Sequence, residues 1–136
     1  MRKFIVTIAC TALALGLQAG SVKENGVTLA AKSTAWSKDN GSYNTAPQGK
    51  KFVFVDVEVS NASDKSIHCN PVCFQLVDRE GKVYSSTWCS KEGLDAVNLL
   101  HGQKATGKVA FEVPYNATAA ELVFEVSYKQ VLRLRL

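Results

Sequence analysis

The chain has 136 residues, of which 16 are basic and 12 are acidic, and 46% of its residues are hydrophobic. This length is sufficient for one domain with a buried core. The formal net charge of +4 is small and its basic residues are dispersed along the chain. This argues against a nucleic-acid-binding protein, because such proteins cluster their basic residues on one face.

The N-terminal segment "MRKFIVTIACTALALGLQAGS" has the three-part layout of a secretory signal. Arg2 and Lys3 precede an uncharged, mostly apolar run over residues 4–17, and the small residues Ala19 and Gly20 follow it. The run is too short for a membrane span of about 20 residues. We therefore predict a signal peptide over residues 1–20, one domain over 21–136, and a secreted or periplasmic location without a membrane span after signal removal.

Later segments alternate with a period of two, which is typical of β-strands. They are "GVTLAAKSTAWS", in which Val27 and Leu29 face one way, "KKFVFVDVEVSN", "KATGKVAFEVP" and "ELVFEVSYKQVLRLRL". Short strands separated by turns predict an all-β antiparallel sandwich or barrel. The positions predicted to face its core are Val53, Val55, Val57, Val59, Val109, Phe111, Val113, Leu122, Phe124, Val126, Leu132, Leu134 and Leu136, whereas Phe52, Phe54, Asp56 and Glu58 face the other way.

The segment "CFQLVDREGKVYSSTW" predicts a β-hairpin, with Gly81 in the left-handed position of a three-residue loop. If Asp78 pairs with Lys82, the numbers of facing residues sum to 160. Cys73 then faces Thr87, and Cys89 lies two residues beyond Thr87 on the same face.

Three stretches carry a resemblance to a known family: "GKKFVFVDVEVSNAS" (49–63), "FQLVDREGKVY" (74–84) and "HGQKATGKVAFEVP" (101–114). Their order and spacing resemble the bacterial immunoglobulin-like domain family of unknown function, which occurs in secreted proteins and lipoproteins and is sometimes mislabelled as telomere-repeat-binding factors. The resemblance spans roughly residues 26–136. It implies an immunoglobulin-like antiparallel β-sandwich outside the cytoplasm and carries over no catalytic residues. The segment "HCNPVC" and Cys89 lie outside the family pattern.

Three cysteines, Cys69, Cys73 and Cys89, are disulfide candidates. An exported chain meets an oxidising compartment, so we expect two of them to pair and the third to remain a free thiol. Cys73 and Cys89 are diagonal neighbours on one face of the predicted hairpin. Cys69 competes with them, because Pro71 breaks the strand and can fold "HCNPV" back across it. The sequence leaves the pairing open.

A metal site is the alternative use of the same region. His68, Cys69, Cys73 and His101, together with Cys89, are of the residue types that bind Cu(I) or Zn(II). The spacing Cys-x3-Cys differs from the tight Cys-x2-Cys knuckle, and no second pair is present.

The sequence predicts no catalytic residues, since it contains neither Gly-x-Ser-x-Gly nor His-Glu-x-x-His. The aromatic residues favour binding instead. Trp36 and Tyr43 bracket the polar loop 37–50, and Trp and Tyr are the residue types favoured at interfaces. We expect Trp88, beside Cys89, to pack in the core of the sandwich, as a tryptophan does in immunoglobulin domains.

Taken together, these features predict an exported binding or interaction module that is not an enzyme and has no cofactor. The expected partner is another extracytoplasmic protein, met through loops or through a sheet edge such as the terminal "VLRLRL", rather than nucleic acid. The alternative is a periplasmic copper- or zinc-binding protein that uses the His/Cys cluster.

Overall fold

The computed structural model describes residues 20–136, and the predicted signal peptide therefore lies almost entirely outside the described residues. Within them the chain forms ten β-strands and one short 3-10 helix, Pro71–Cys73. The strands are β1 (Gly20–Glu24), β2 (Val27–Ser37), β3 (Lys50–Asn61), β4 (Ile67–Cys69), β5 (Phe74–Asp78), β6 (Val83–Thr87), β7 (Val97–Leu99), β8 (Lys104–Pro114), β9 (Ala119–Ser127) and β10 (Gln130–Arg135).

Eight strands follow the order β1-β2-β3-β8-β6-β5-β9-β10, all paired antiparallel, and β4 and β7 form a separate pair. β6 joins the two layers of the sandwich, because its first half pairs with β5 and its last two residues, Ser86 and Thr87, pair with β8. The ends of the strand order meet as well: the Gln130 side chain donates a hydrogen bond to the Glu24 carbonyl over 2.7 Å. This arrangement confirms the predicted all-β, immunoglobulin-like sandwich.

The core lies between the two layers, and the predicted inward faces supply most of it. The four valines of β3 are all at most 5% exposed. From the opposite layer, the rings of Phe74 and Phe124 stack with their centroids 4.7 Å apart. In β10, Leu132 and Leu134 are buried while Arg133 and Arg135 are exposed, as the alternation predicts. Burial of such side chains contributes about 1.5–3 kcal/mol each.

Phe52 alternates with the inward valines of β3, as predicted, and is nevertheless only 1% exposed. The loop 38–49 explains its burial. The loop begins after Ser37, the last residue of β2, which pairs with Phe52. Its residue Asn40 forms a hydrogen bond with the main chain of Trp88, just after β6. β3 and β8 lie between β2 and β6 in the sheet. The loop therefore crosses the outer face of these two strands and covers Phe52.

The hairpin β5–β6 has the predicted register: Gln75 pairs with Ser85, Leu76 with Tyr84, and Val77 with Val83. Gly81 has φ +87°, so it occupies the predicted left-handed position. The Oδ1 atom of Asp78 accepts hydrogen bonds from the backbone amides of Glu80 and Lys82, each over 2.9 Å.

The other carboxylate oxygen of Asp78 accepts a hydrogen bond from the Tyr84 hydroxyl over 2.9 Å. Burial by itself raises the pKa of Asp78. The hydrogen bonds from the Lys82 amide, the Tyr84 hydroxyl and the Glu80 amide outweigh it, so the pKa of this carboxyl lies below its ordinary value.

Candidate functional site

The cysteines do not form the predicted staple: Cys69, Cys73 and Cys89 are all free, and no two of them lie at disulfide distance. The local backbone explains why Cys73 and Cys89 are not the diagonal neighbours that the hairpin register predicts. Asn70 caps the 3-10 helix Pro71–Cys73 by accepting a hydrogen bond from the Val72 amide, so Cys73 belongs to that helix rather than to β5. On the other strand, β6 ends at Thr87, two residues before Cys89. The predicted disulfide is therefore not supported.

The His/Cys cluster does not assemble into a metal site either. Within residues 20–136, no three His, Cys, Asp or Glu side chains converge to hold a metal ion. His68 on β4 places Nδ1 3.0 Å from Asn98 Oδ1 and Nε2 3.4 Å from Asn70 Nδ2, so side-chain amides face both ring nitrogens. His101 lies in the turn after β7 and donates from Nδ1 to the Ser63 carbonyl over 3.0 Å.

The thiols of this region are also held in the protonated form. Burial, with a smaller effect from Cys73, raises the pKa of Cys69 to about 11. Burial likewise raises the pKa of Cys73, with Glu125 adding to it and the hydrogen bond from the Asn70 backbone opposing it. The thiolate is the form that binds metals and attacks substrates, so the raised pKa values make both thiols less reactive; Cys69 is a small core residue, whereas Cys73 is partly exposed.

The loop 38–49 has a structure of its own. Asp39 and Thr45 form an isolated antiparallel bridge. The backbone amide of Asn40 donates a hydrogen bond to the backbone carbonyl of Asn44 over 2.8 Å. At the base of the loop, the Lys38 ammonium donates to the Lys50 carbonyl over 2.7 Å. The loop is therefore a small hairpin whose tip is formed by residues 41–43.

Asn40 fixes this loop to the segment that follows β6. Its side chain is only 1% exposed. The Nδ2 group donates to the Trp88 carbonyl, and Oδ1 accepts from the Ser90 amide over 2.9 Å. Gly41 allows the close approach, because a Cβ at that position would lie 2.9 Å from the Ser90 Cβ. One buried side chain thus joins two segments that are 48 residues apart in sequence.

Two exposed aromatic residues border the open depression between these segments. Tyr43 at the loop tip is fully exposed, and Trp88 is 65% exposed, so the prediction that Trp88 packs in the core is wrong. The depression has a volume of about 840 Å³ and is completed by Asp39, Asn44 and Lys91. We call this region, formed by residues 39–44 and 88–91, the loop surface.

Trp36 lies in a different place, in a cleft at one open end of the sandwich. Strict alternation from Val27 would point Trp36 outward. A bulge between Ala31 and Ser33 shifts the register, so that Trp36 pairs with Val53 and shares its inward face. Trp36 nevertheless remains 52% exposed. The end cleft, as we call it, is lined by Trp36, Lys51, Val53, Arg79, Ala119 and Leu136 and has a volume of about 370 Å³.

An aromatic pair holds one of the two cations of the end cleft. The rings of Trp36 and Tyr115 meet edge to face, with centroids 5.3 Å apart and an interplanar angle of 85°. The Lys51 ammonium lies 5.4 Å from the Trp36 ring centroid and 5.6 Å from that of Tyr115. The structure therefore places the two predicted binding residues, Trp36 and Tyr43, in separate cavities. No local pattern in the sequence marks the bulge that moves Trp36.

These features define an all-β immunoglobulin-like sandwich whose surface cavities include two that are bordered by exposed aromatic residues. The chain belongs to the family described as "Domain of unknown function (DUF4352)", whose profile matches residues 20–131. The resemblance predicted from the three sequence stretches is thereby confirmed. Among the curated proteins, none matches this sequence.

Solved structures share the fold at low sequence identity. The ycdA protein of Bacillus subtilis, a predicted lipoprotein, superposes with a TM-score of 0.72 at 15% identity, over 85% of this chain and 38% of its own. The present chain thus spans less than half of that relative. The B. subtilis protein yjhA gives 0.60 at 17% identity, over 78% of this chain and 79% of its own.

A third relative is the secreted protein MPT63 of Mycobacterium tuberculosis, with a TM-score of 0.58 at 14% identity, over 85% of this chain and 88% of its own. At these identities the similarity establishes the fold alone. In the part of the chain that the structure describes, no helix is long and apolar enough to cross a membrane.

Proposed function

We propose that this protein is an exported, non-catalytic binding module that contacts another extracytoplasmic protein through the loop surface. Two observations support its export: the N-terminal pattern typical of a secretory signal, and relatives of the same fold that include a predicted lipoprotein and a secreted protein.

The observation that carries the binding proposal is the rigid presentation of Tyr43 and Trp88. Tyrosine and tryptophan dominate the binding energy of many interfaces, because they offer a large contact area with few rotatable bonds. Exposed aromatic residues on a mobile loop lose much of that gain to the entropy of ordering the loop on binding. Here Asn40 already fixes the backbone that carries both rings, so this cost is paid during folding.

The surroundings of the two rings also resemble an interface. The depression that Tyr43 and Trp88 border is also lined by polar residues, which include one acidic and one basic side chain: Asp39, Ser42, Asn44, Ser90 and Lys91. A polar rim around an apolar centre is the common layout of protein–protein contacts.

A photo-crosslinking experiment tests this proposal in cells that produce the full chain. Tyr43 is replaced by p-benzoylphenylalanine, and the matched control carries the same replacement at Tyr128, a comparably exposed tyrosine in the β9–β10 turn. We expect one discrete crosslinked species from position 43 that is absent from position 128 and disappears when Trp88→Ala is added. Identical products from both positions, or no product from position 43, would contradict the proposal.

Export is tested separately by N-terminal sequencing of the protein recovered from the envelope or the medium. We expect the mature chain to begin close to residue 20. A chain that stays in the cytoplasm and keeps Met1 would overturn this part of the proposal and leave the crosslinking result to be judged by itself.

A further inference from the structure

We infer that the end cleft binds a small organic carboxylate with an apolar body, in a site independent of the loop surface. The inference rests on three features of the cleft: its apolar floor, two cations without an acidic partner, and an aromatic pair that positions one of them.

The floor of the cleft continues the core of the sandwich. Val53 is buried, and Ala117, Ala119 and Leu136 complete an apolar lining from the opposite layer. A volume of about 370 Å³ falls within the range of roughly 300–1,000 Å³ that is typical of small-ligand sites. The cleft therefore has the size and the apolar floor that suit the apolar body of one small molecule.

Lys51 and Arg79 both line the end cleft, and neither forms an ion pair with a described residue, as is also true of seven other cations of the domain. Five other cations of the domain, Lys32, Lys50, Lys104, Lys108 and Arg133, each form an ion pair with a glutamate. Among residues 20–136, no carboxylate lies within ion-pair distance of Lys51 or Arg79. Two like charges beside an apolar floor favour an anionic ligand, because a low-dielectric wall focuses the field into the cleft.

Trp36 and Tyr115 hold the Lys51 ammonium in a defined position at the side of the cleft. The Lys51 ammonium lies near both ring faces, within the distance at which cation–π attraction operates. The interaction limits the freedom of the lysine side chain before any ligand arrives. Arg79 also lines the cleft, and a guanidinium carries the planar pair of donors that matches a carboxylate. A small molecule with a carboxylate head and an apolar tail matches this combination of cations and apolar floor.

Fluorescence of Trp36 tests this inference directly. The chain contains two tryptophans, so in the Trp88→Phe variant Trp36 is the only tryptophan, and excitation at a wavelength that tyrosine does not absorb reports on it alone. The probes are 4-phenylbutyrate, 4-phenylbutylamine with the same apolar body and the opposite charge, and glutarate with carboxylates but no apolar body. We expect saturable quenching or a spectral shift with 4-phenylbutyrate and at least a tenfold weaker response with the other two.

Variants of the two cations identify the site. Lys51→Met and Arg79→Met should each weaken 4-phenylbutyrate binding by roughly tenfold or more, as loss of a hydrogen bond to a charged group does. Lys129→Met is the matched control, because Lys129 also lies over a tyrosine ring, at 5.6 Å from Tyr128, but at the opposite end of β9. It should bind like the parent protein.

Three results would overturn the inference. One is equal binding of the amine and the carboxylate, and another is unchanged affinity in both cation variants. The third is an absence of saturation with 4-phenylbutyrate in protein whose near-UV circular dichroism is that of the native fold. Each of these leaves the crosslinking test of the loop surface unaffected, since Trp36, Lys51 and Arg79 lie outside that surface.

Discussion

Asn40 donates a hydrogen bond from its buried side chain to the main-chain carbonyl of Trp88. The Oδ1 atom of the same side chain accepts a hydrogen bond from the backbone amide of Ser90. Buried polar groups are almost always satisfied, and here one side chain satisfies two main-chain groups of a segment without regular structure. The loop that carries Tyr43 and the segment that carries Trp88 therefore behave as one rigid unit.

Replacing Asn40 by alanine should uncouple that unit. The substitution leaves the Trp88 carbonyl and the Ser90 amide without their partner, and we expect a loss of about 1–3 kcal/mol in the free energy of unfolding. Urea unfolding measures the loss, and hydrogen exchange should show faster exchange at residues 41–44 and 90. Asn116→Ala is the control, because that side chain is exposed. Unchanged exchange at 41–44 would show that the loop is ordered by other contacts.

Asp78 should make the domain less stable in acid. The pKa of this carboxyl is lowered in the folded state, so its contribution is fully present above the ordinary aspartate pKa of about 3.9 and is lost as the pH falls through the lowered value. Asp78→Asn should be less stable than the parent at pH 7 and should lose less stability between pH 5 and pH 2. Thermal unfolding across this range measures both effects.

The exposed Asp95→Asn variant provides the comparison for Asp78, because its side chain lies at the surface. It should follow the parent curve at every pH. Parallel pH curves for Asp78→Asn and the parent protein would exclude the hydrogen-bonded turn as the source of the acid sensitivity.

Gly107→Ala should displace the segment that follows the loop surface. Gly107 lies in β8 and has no positive φ, but a Cβ at this position would lie 2.5 Å from the Leu94 Cα. Such overpacking against backbone costs about 1–3 kcal/mol. We also expect faster exchange of the Leu94 amide, which donates to the Lys108 carbonyl over 3.0 Å.

Gly49→Ala separates steric from conformational effects. Gly49 has φ +83°, but no atom lies within 4 Å of the added Cβ. Its cost is that of a left-handed residue, about 1–2 kcal/mol, and the Leu94 amide should exchange as in the parent protein. Protected Leu94 exchange in Gly107→Ala would mean that the two segments are not in direct contact.

The three cysteines of the domain should differ in reactivity. Cys69 is 0% exposed and its thiol has a pKa of about 11, whereas Cys73 and Cys89 are partly exposed. In native protein we expect iodoacetamide to modify Cys89 and Cys73 well before Cys69, and all three to react after unfolding in urea without reductant. Peptide mapping locates the labels. A peptide that links two of these cysteines would contradict the structure.

The sequence predicts the sandwich and its best-patterned elements well. The β5–β6 hairpin is recoverable down to its register, because a period-two pattern on both sides of "REG" leaves one pairing that keeps Leu76 and Phe74 on the core side. The valine face of β3 is equally clear. The capped turn at Asn70-Pro71 also had a signal, since Asn-Pro favours turn initiation. Recognising it would have removed Cys73 from the strand and weakened the predicted disulfide.

Other features depend on tertiary contacts that no local pattern reports. The bulge before Ser33 reverses the side on which Trp36 lies, and nothing in "TLAAKSTAWS" marks it. Phe52 is buried only because a loop crosses an outer sheet face. The main chain at Trp88 is held by Asn40, 48 residues earlier in the sequence. Binding residues at loops and open ends are therefore the part of this chain that sequence reasoning locates least well.

The contact between Gln130 and Glu24 also affects how this domain behaves beside copies of itself. Unpaired backbone groups along an outermost strand act as a template onto which further chains can add, and fibrils grow in this way. Here the two outermost strands of the eight-stranded order lie beside each other, and a Cβ added at Gly20 would lie 3.5 Å from Leu134 Cδ1. Concentrated solutions of the folded domain should therefore resist polymerisation, even though its last strand is rich in leucine.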